Sequence, residues 1–310
     1  MRHWQSFKII SPEDLQTMLQ QQPALLLIDT LPAEHFNAIH LPGAVNACVY
    51  DMTFVNQINT LCRDSGAAIV LYGSSSNSLD SRTAAEKLIA DGYSNISVLE
   101  GGIDHWRQSG LPLEGDTETA ASLTDQYLLK DGSYKVSVPE SRIFWIGRNP
   151  NSSHYGTVLF SGGNFTLHGS SIQGSLLVDM ESIENINLKG DELEQVLITH
   201  LKSDDFFYVD VYPGARFDIP SGRLNNQAFP TVPNCELSGM LDLRGRQNHL
   251  NIEATVVQGG DGKLHLSSHF ELDRTLWGII YGSGKYYEHL GMHTVFDHIS
   301  IELLVIAEKS

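Results

Sequence analysis

At 310 residues the chain is long for one hydrophobic core and suits two domains. Its 41% hydrophobic and 18% charged residues are those of a globular protein, and a formal net charge of −17 with no basic stripe argues against a nucleic-acid partner. The amino-terminal MRHWQSFKIISPEDL lacks the apolar core of roughly 7 to 15 residues of a signal peptide, and no later run approaches the roughly 18 apolar residues of a membrane span, which points to the cytoplasm.

From Ser11 onward helix-like and strand-like segments alternate. Ser11 reads as an N-cap, with Pro12 at the first helical position and Glu13 and Asp14 in the first turn, so SPEDLQTMLQ starts a helix. ALLLIDT is an apolar run too short for a helix and suited to a strand buried on both faces. PAEHFNAI reads as helix, AVNACVY as a short strand, FVNQINTLC as helix and AAIVLYG as a second buried strand. TAAEKLIADGY is a helix stopped at Gly92, ISVLEGG a strand, and IDHWRQSG a closing helix before Pro112. Such βα repeats predict a parallel sheet with helices on both faces, and ligands in such sheets sit at the carboxyl ends of strands. That rule points at the loop after Tyr72, which reads GSSSNSLDS: Gly73, Ser74, Ser75, Ser76, Asn77 and Ser78, with Arg82 nearby. Its backbone N–H groups suit an anion cradle, and a solvated serine-rich connection is the other reading.

LIDTLPAEHFNAIHLPGAVN and VLEGGIDHWRQSGLPLEG resemble two signatures of the rhodanese family, through Asp29, Glu34, Phe36, His40, Pro42, Gly43, Ala44 and Asn46, then Glu100, Gly101, Gly102, Trp106, Gly110 and Pro112. The resemblance covers about residues 7 to 115 and implies the sulfurtransferase fold, whose members carry sulfane sulfur on a cysteine just past the central strand. Here the residue after Tyr72 is Gly73, the alternative nucleophile positions are Ser75 and Ser78, and Leu31 replaces the arginine of the family's Asp-x-Arg motif. A serine hydroxyl forms no persulfide. Cys48 and Cys62 are expected away from the loop, and with Cys235 they show no CxxC spacing of a structural zinc site or of a disulfide framework. The expectation is a rhodanese-like domain over 1–115 without a catalytic residue, the enzyme alternative being a sulfurtransferase or persulfide handler.

The polar GDTETAASLTDQ after Glu114 reads as a linker over 116–125. Beyond it SRIFWIGR, TVLFSG, NFTLHG, SIQGSLLVDMESI, GARFDI, MLDLRG, HLNIEATVV, KLHLSSHFEL and ISIELLVIAE suit antiparallel strands, with Asp261-Gly262 as a hairpin turn. Many such strands close into a barrel or pack as a sandwich. WIGRNPNSSHYGTVLFSGGNF, GSLLVDMESI, HLKSDDFFYVDVYPGARF and DRTLWGIIYGSGKYYEHLG resemble, in order, four signatures of the YceI-like lipid-binding barrels. The resemblance implies, over 126–310, a lipocalin-like eight-stranded barrel holding an isoprenoid, quinone-like or other lipid.

The face that avoids charge places Ile143, Trp145, Val158, Phe160, Phe165, Leu167, Leu176, Val178, Phe217, Leu250, Ile252, Leu266 and Phe270 inside, with Phe206, Phe207, Trp277 and Tyr281 at a mouth. A dry core of the same side chains is the competing reading. GIIYGSGKYY lacks the GxxxxGK[ST] spacing of a phosphate loop, and the pairs His289/His293 and His265/His269 lack a third zinc ligand, so no metal and no cofactor beyond a bound lipid is expected. The expected partners are a hydrophobic small molecule and, for the first domain, an anion, a protein or a second copy of the chain.

Overall fold

The computed structural model describes residues 7–116, 129–225 and 231–310. The chain divides into two units, Met1–Asp125 and Gln126–Ser310. The linker expected over 116–125 lies, apart from Asp116, outside the described residues.

In the first unit β1 (Lys8–Ile10), β2 (Leu26–Asp29), β3 (Val45–Asn46), β4 (Ile69–Tyr72) and β5 (Ile96–Leu99) form one sheet in the order β1-β5-β4-β2-β3. Every pairing is parallel. The helices are α1 (Pro12–Gln21), α2 (Ala33–Ala38), α3 (Phe54–Leu61), α4 (Asp80–Ala90) and α5 (Gly102–Gln108). Ser11 caps α1 in a reciprocal box, its hydroxyl accepting from the Asp14 N–H at 3.1 Å, an arrangement worth about 1 kcal/mol. Ile69 and Leu71 of β4 pack with Phe54, Ile58 and Leu88, whereas Val70 and Tyr72 pack with Leu15, Ile103 and Trp106. Period-two alternation thus sends one strand into two cores, which is why it reads as continuously apolar.

In the second unit β6 (Gly132–Val136), β7 (Arg142–Arg148), β8 (Ser153–His168) and β9 (Ser171–Asn185) precede α6 (Glu192–Lys202). Then follow β10 (Gly214–Leu224), β11 (Cys235–Leu243), β12 (Arg246–Gln258), β13 (Leu264–Asp273) and β14 (His298–Lys309). Neighbours pair antiparallel from β7 and β8 round to β14. β6 and β7 each bridge β8 and β14, at successive heights, so the two form one stave interrupted by the 3-10 turn Val138–Glu140. The result is a closed eight-stave antiparallel barrel with no free edge.

Two differences from the sequence reading have a local cause. TVLFSG and NFTLHG, expected as separate strands, are one strand of 16 residues, bent at a register shift between Phe160 and Gly162 instead of broken by the glycines. The short strands β1 and β6 leave no pattern in the sequence, because three and five residues are too few to display a period.

Candidate functional site

The barrel interior is divided along its axis. At the end where β8 stops and β13 starts, Phe165, Leu167, Ile172, Leu224, Leu264 and Leu266 are at most 3% exposed and fill the lumen. Above this plug lies a cavity of about 360 Å³, walled by Ile143, Trp145, Val158, Phe160, Leu176, Val178, Phe217, Leu250, Ile252 and Phe270 among others. Pockets for small molecules run from about 300 to 1,000 Å³. The indole of Trp145 lies against the inner face of β8 opposite Gly156, where an added Cβ would overlap the Glu184 carbonyl and stand 2.9 Å from Trp145 Cζ2. The Trp145 Nε1–H is buried without an acceptor among the described residues.

The mouth is bordered by α6 and by the segment 274–297. Leu197 and Leu201 of α6 face the cavity together with Phe206, Phe207 and Tyr281. His200 stands edge-on to both Phe206 (4.9 Å) and Tyr281 (4.6 Å), giving a packed aromatic rim. Arg274, 1% exposed, ties the segment down by donating to the carbonyl oxygens of Ile279 (2.6 Å), Tyr281 (2.7 Å), Val295 (3.0 Å) and Phe296 (3.1 Å). Burial draws its pKa below the usual guanidinium value, with Asp297 and Asp273 acting in the opposite direction. Among the described residues the polar side chains of the wall are Arg148, Asn149, His154, His200, Arg274, Tyr281, His293 and Thr294, none of them a carboxylate.

Of the seventeen side chains expected inside the barrel or at its mouth, thirteen line the cavity, among them Trp145, Phe160, Leu176, Val178, Phe206, Phe207, Phe217, Ile252, Phe270 and Tyr281. Phe165, Leu167, Leu266 and Trp277 do not. Phe165 points inward but belongs to the plug, and Trp277 is packed in the core with its Nε1–H donated to the Leu241 carbonyl at 2.9 Å. Ile299, Ile301 and Leu303 of β14 also line the cavity, and the alternation of ISIELL carries the signal for them.

The serine-rich loop of the first unit joins β4 to α4. Its anion is the chain's own. The Asp80 carboxylate, in a residue 4% exposed, accepts from the Ser74 N–H (3.0 Å), the Ser74 hydroxyl (3.1 Å), the Tyr50 hydroxyl (2.8 Å) and the Ser78 hydroxyl. Burial raises the Asp80 pKa, but the donors from Ser78, Ser74 and Tyr50 outweigh it and hold the carboxyl below its ordinary value. The Tyr50 side chain is largely exposed, but desolvation of its hydroxyl and the neighbouring Asp80 carboxylate push its pKa up to about 12. A side chain at Gly73 would put its Cβ 2.6 Å from Asp80 Oδ2, so a cysteine does not fit there as the loop stands. Ser75 accepts from the Asn77 N–H at 3.3 Å, while Ser76, Asn77 and Arg82 are exposed. Of the loop's backbone N–H groups, that of Ser74 is thus turned to the chain's own carboxylate. Beneath it Asp29 is fully buried, one oxygen accepting from the Leu31 N–H at 2.8 Å, and desolvation raises its pKa.

Comparison with known proteins agrees with both units. The rhodanese-like domain profile matches residues 11–109. The adenylyltransferase and sulfurtransferase UBA4 of Candida albicans is 36% identical over 102 residues, 31% of this chain and 23% of that protein. The thiosulfate sulfurtransferase GlpE of Actinobacillus succinogenes is 29% identical over 109 residues, 35% of this chain and 92% of that one. This chain thus spans under a quarter of the first of these relatives and nearly all of the second. Among solved structures, Burkholderia cenocepacia BcnA is similar at 18% identity and a TM-score of 0.44, over 56% of this chain and 99% of that one. The YceI-like domain profile matches residues 134–307, more than half of the chain, and the chain belongs to the YceI-like family.

Proposed function

We propose that the barrel binds one slender hydrophobic molecule, an isoprenoid, quinone-like compound or similar lipid, with its chain in the lumen and its polar end at the mouth. The observation that carries this is the 360 Å³ cavity, apolar in depth and bordered by Arg148, His154, His200 and His293 towards the mouth. An apolar cavity of this size offers dispersion contacts along the length of a hydrocarbon chain. Native mass spectrometry of the purified chain, followed by organic extraction, tests the reading: a bound lipid is expected. A barrel that is empty and takes up no added isoprenoid refutes it.

The first unit, in this proposal, is a non-catalytic module that contacts a partner. Two features support this. The loop 73–79 holds no thiol to carry a persulfide, and Asp80 engages the Ser74 N–H and the Ser74 and Ser78 hydroxyls. A thiosulfate-to-cyanide transfer assay decides between this reading and a sulfurtransferase; cysteine-dependent turnover would overturn it.

A further inference from the structure

The ends of the barrel differ in what they show to solvent. Four segments lie at the mouth end: 149–152, 186–213, 244–245 and 274–297. Among the described residues of this unit, every large apolar side chain more exposed than Tyr155, at 44%, belongs to one of them. They include Leu193 (59%) and Val196 (63%) of α6, in the helical stripe that Leu197 and Leu201 continue into the cavity, and Leu276 (54%), Tyr286 (55%) and Met292 (85%) on the segment after β13. Water-soluble surfaces seldom gather such side chains at one end without a partner. The collar is also continuous with the cavity: Met292 and Phe296 belong to the cavity wall, yet they are 85% and 46% exposed.

We infer that this collar docks on a lipid bilayer of low net charge, so that a hydrophobic ligand passes between membrane and lumen without crossing water. The inference rests on the reading of the barrel as a lipid binder. The choice of surface rests on charge. The four segments carry five Lys and Arg residues against eight Asp and Glu, and the whole chain carries a net −17, so an anionic bilayer repels it. Contact must come from the apolar side chains, as with interfacial helices that rest their apolar face at the headgroup boundary.

Flotation of the full-length chain with vesicles of pure phosphatidylcholine tests this. Binding is expected to survive 0.5 M salt and to weaken when phosphatidylserine is added. The variant Leu193→Glu/Val196→Glu/Leu276→Glu alters three exposed side chains outside the cavity wall. It is expected to lose at least tenfold in vesicle partitioning while binding detergent-solubilised geranylgeraniol as the parent does, which also shows that it is folded. A parent chain that does not float, or a variant that floats equally well, overturns the inference. So does a parent chain that sediments as a dimer which the variant breaks, since a second copy then covers the collar. Failure to bind geranylgeraniol with vesicle flotation intact counts against the lumen reading and leaves the docking result standing.

Discussion

Arg274→Met tests whether one buried guanidinium holds the mouth of the barrel together. Methionine has a similar length and no donors, so the carbonyl oxygens of Ile279, Tyr281, Val295 and Phe296 lose their partner at once. An orphaned buried acceptor costs about 1–3 kcal/mol, so keeping all four in place would cost roughly 4–12 kcal/mol. Long before that limit the segment opens and lets water reach the carbonyls. Opening caps the loss at about 3–5 kcal/mol, the range found when one side of a buried charged network is removed. Amide exchange across 279–296 should then accelerate by about a hundredfold or more, since each 1.4 kcal/mol is a factor of about ten, while β8, β9 and β10 keep their protection. Arg274→Lys keeps the charge but has three donors on a point-like head, and an intermediate effect is expected. Urea titration gives the global term and exchange read by mass spectrometry gives the local one. A loss below about 1 kcal/mol with unchanged exchange in the segment would refute the assignment.

Three further outcomes follow from the same geometry. Asp80→Asn should destabilise the first unit at pH 7 by about 1–2 kcal/mol through weakened hydrogen bonds. Because the folded pKa of Asp80 is lowered, its contribution is complete above the ordinary carboxylate range and fades as pH falls through the folded value. The gap between parent and variant should narrow from pH 5 to pH 2 in thermal melts, and a constant gap would exclude the carboxylate as its source. Gly156→Ala forces a methyl group between the Glu184 carbonyl and the Trp145 ring, and a loss at or above the roughly 1–3 kcal/mol of ordinary overpacking is expected in urea titration. Val178→Trp puts an indole into the lumen, so isoprenoid binding should fall at least tenfold while the far-ultraviolet circular dichroism stays barrel-like; undiminished binding would place the ligand elsewhere.

Much of the architecture is legible in the chain because alternation reports which face of a strand is covered. IVLY of β4, buried at every position, reads as a strand with a core on each side, and that is where Ile69 and Val70 go. In the barrel the same signal marks Phe160, Phe165 and Phe270 as inward-facing. It cannot rank them by height. Height along the axis depends on cross-strand register, for example the pairing of Phe165 with Gly174 and of Phe270 with Ile301, and register is set by turns and bulges far from the residue concerned. Phe165 therefore falls in the plug and Phe270 beside the cavity, though both obey one rule.

Trp277 fails for a different reason: it sits in a 3-10 turn with no sheet face to consult, and its indole N–H is drawn to the Leu241 carbonyl. Asp80 shows the limit of composition-based reading most clearly. GSSSNSLD supplies Ser74 and Ser78 as donors and, six residues after Ser74, the carboxylate they hold. A loop of donors that encloses a carboxylate of the same chain gains those hydrogen bonds with no ligand to order, so a solute anion would have to displace a charge already held by four donors. For the first unit this moves the search for function away from the loop's interior and towards what the surface around Tyr50 and Leu79, both 66% exposed, can touch.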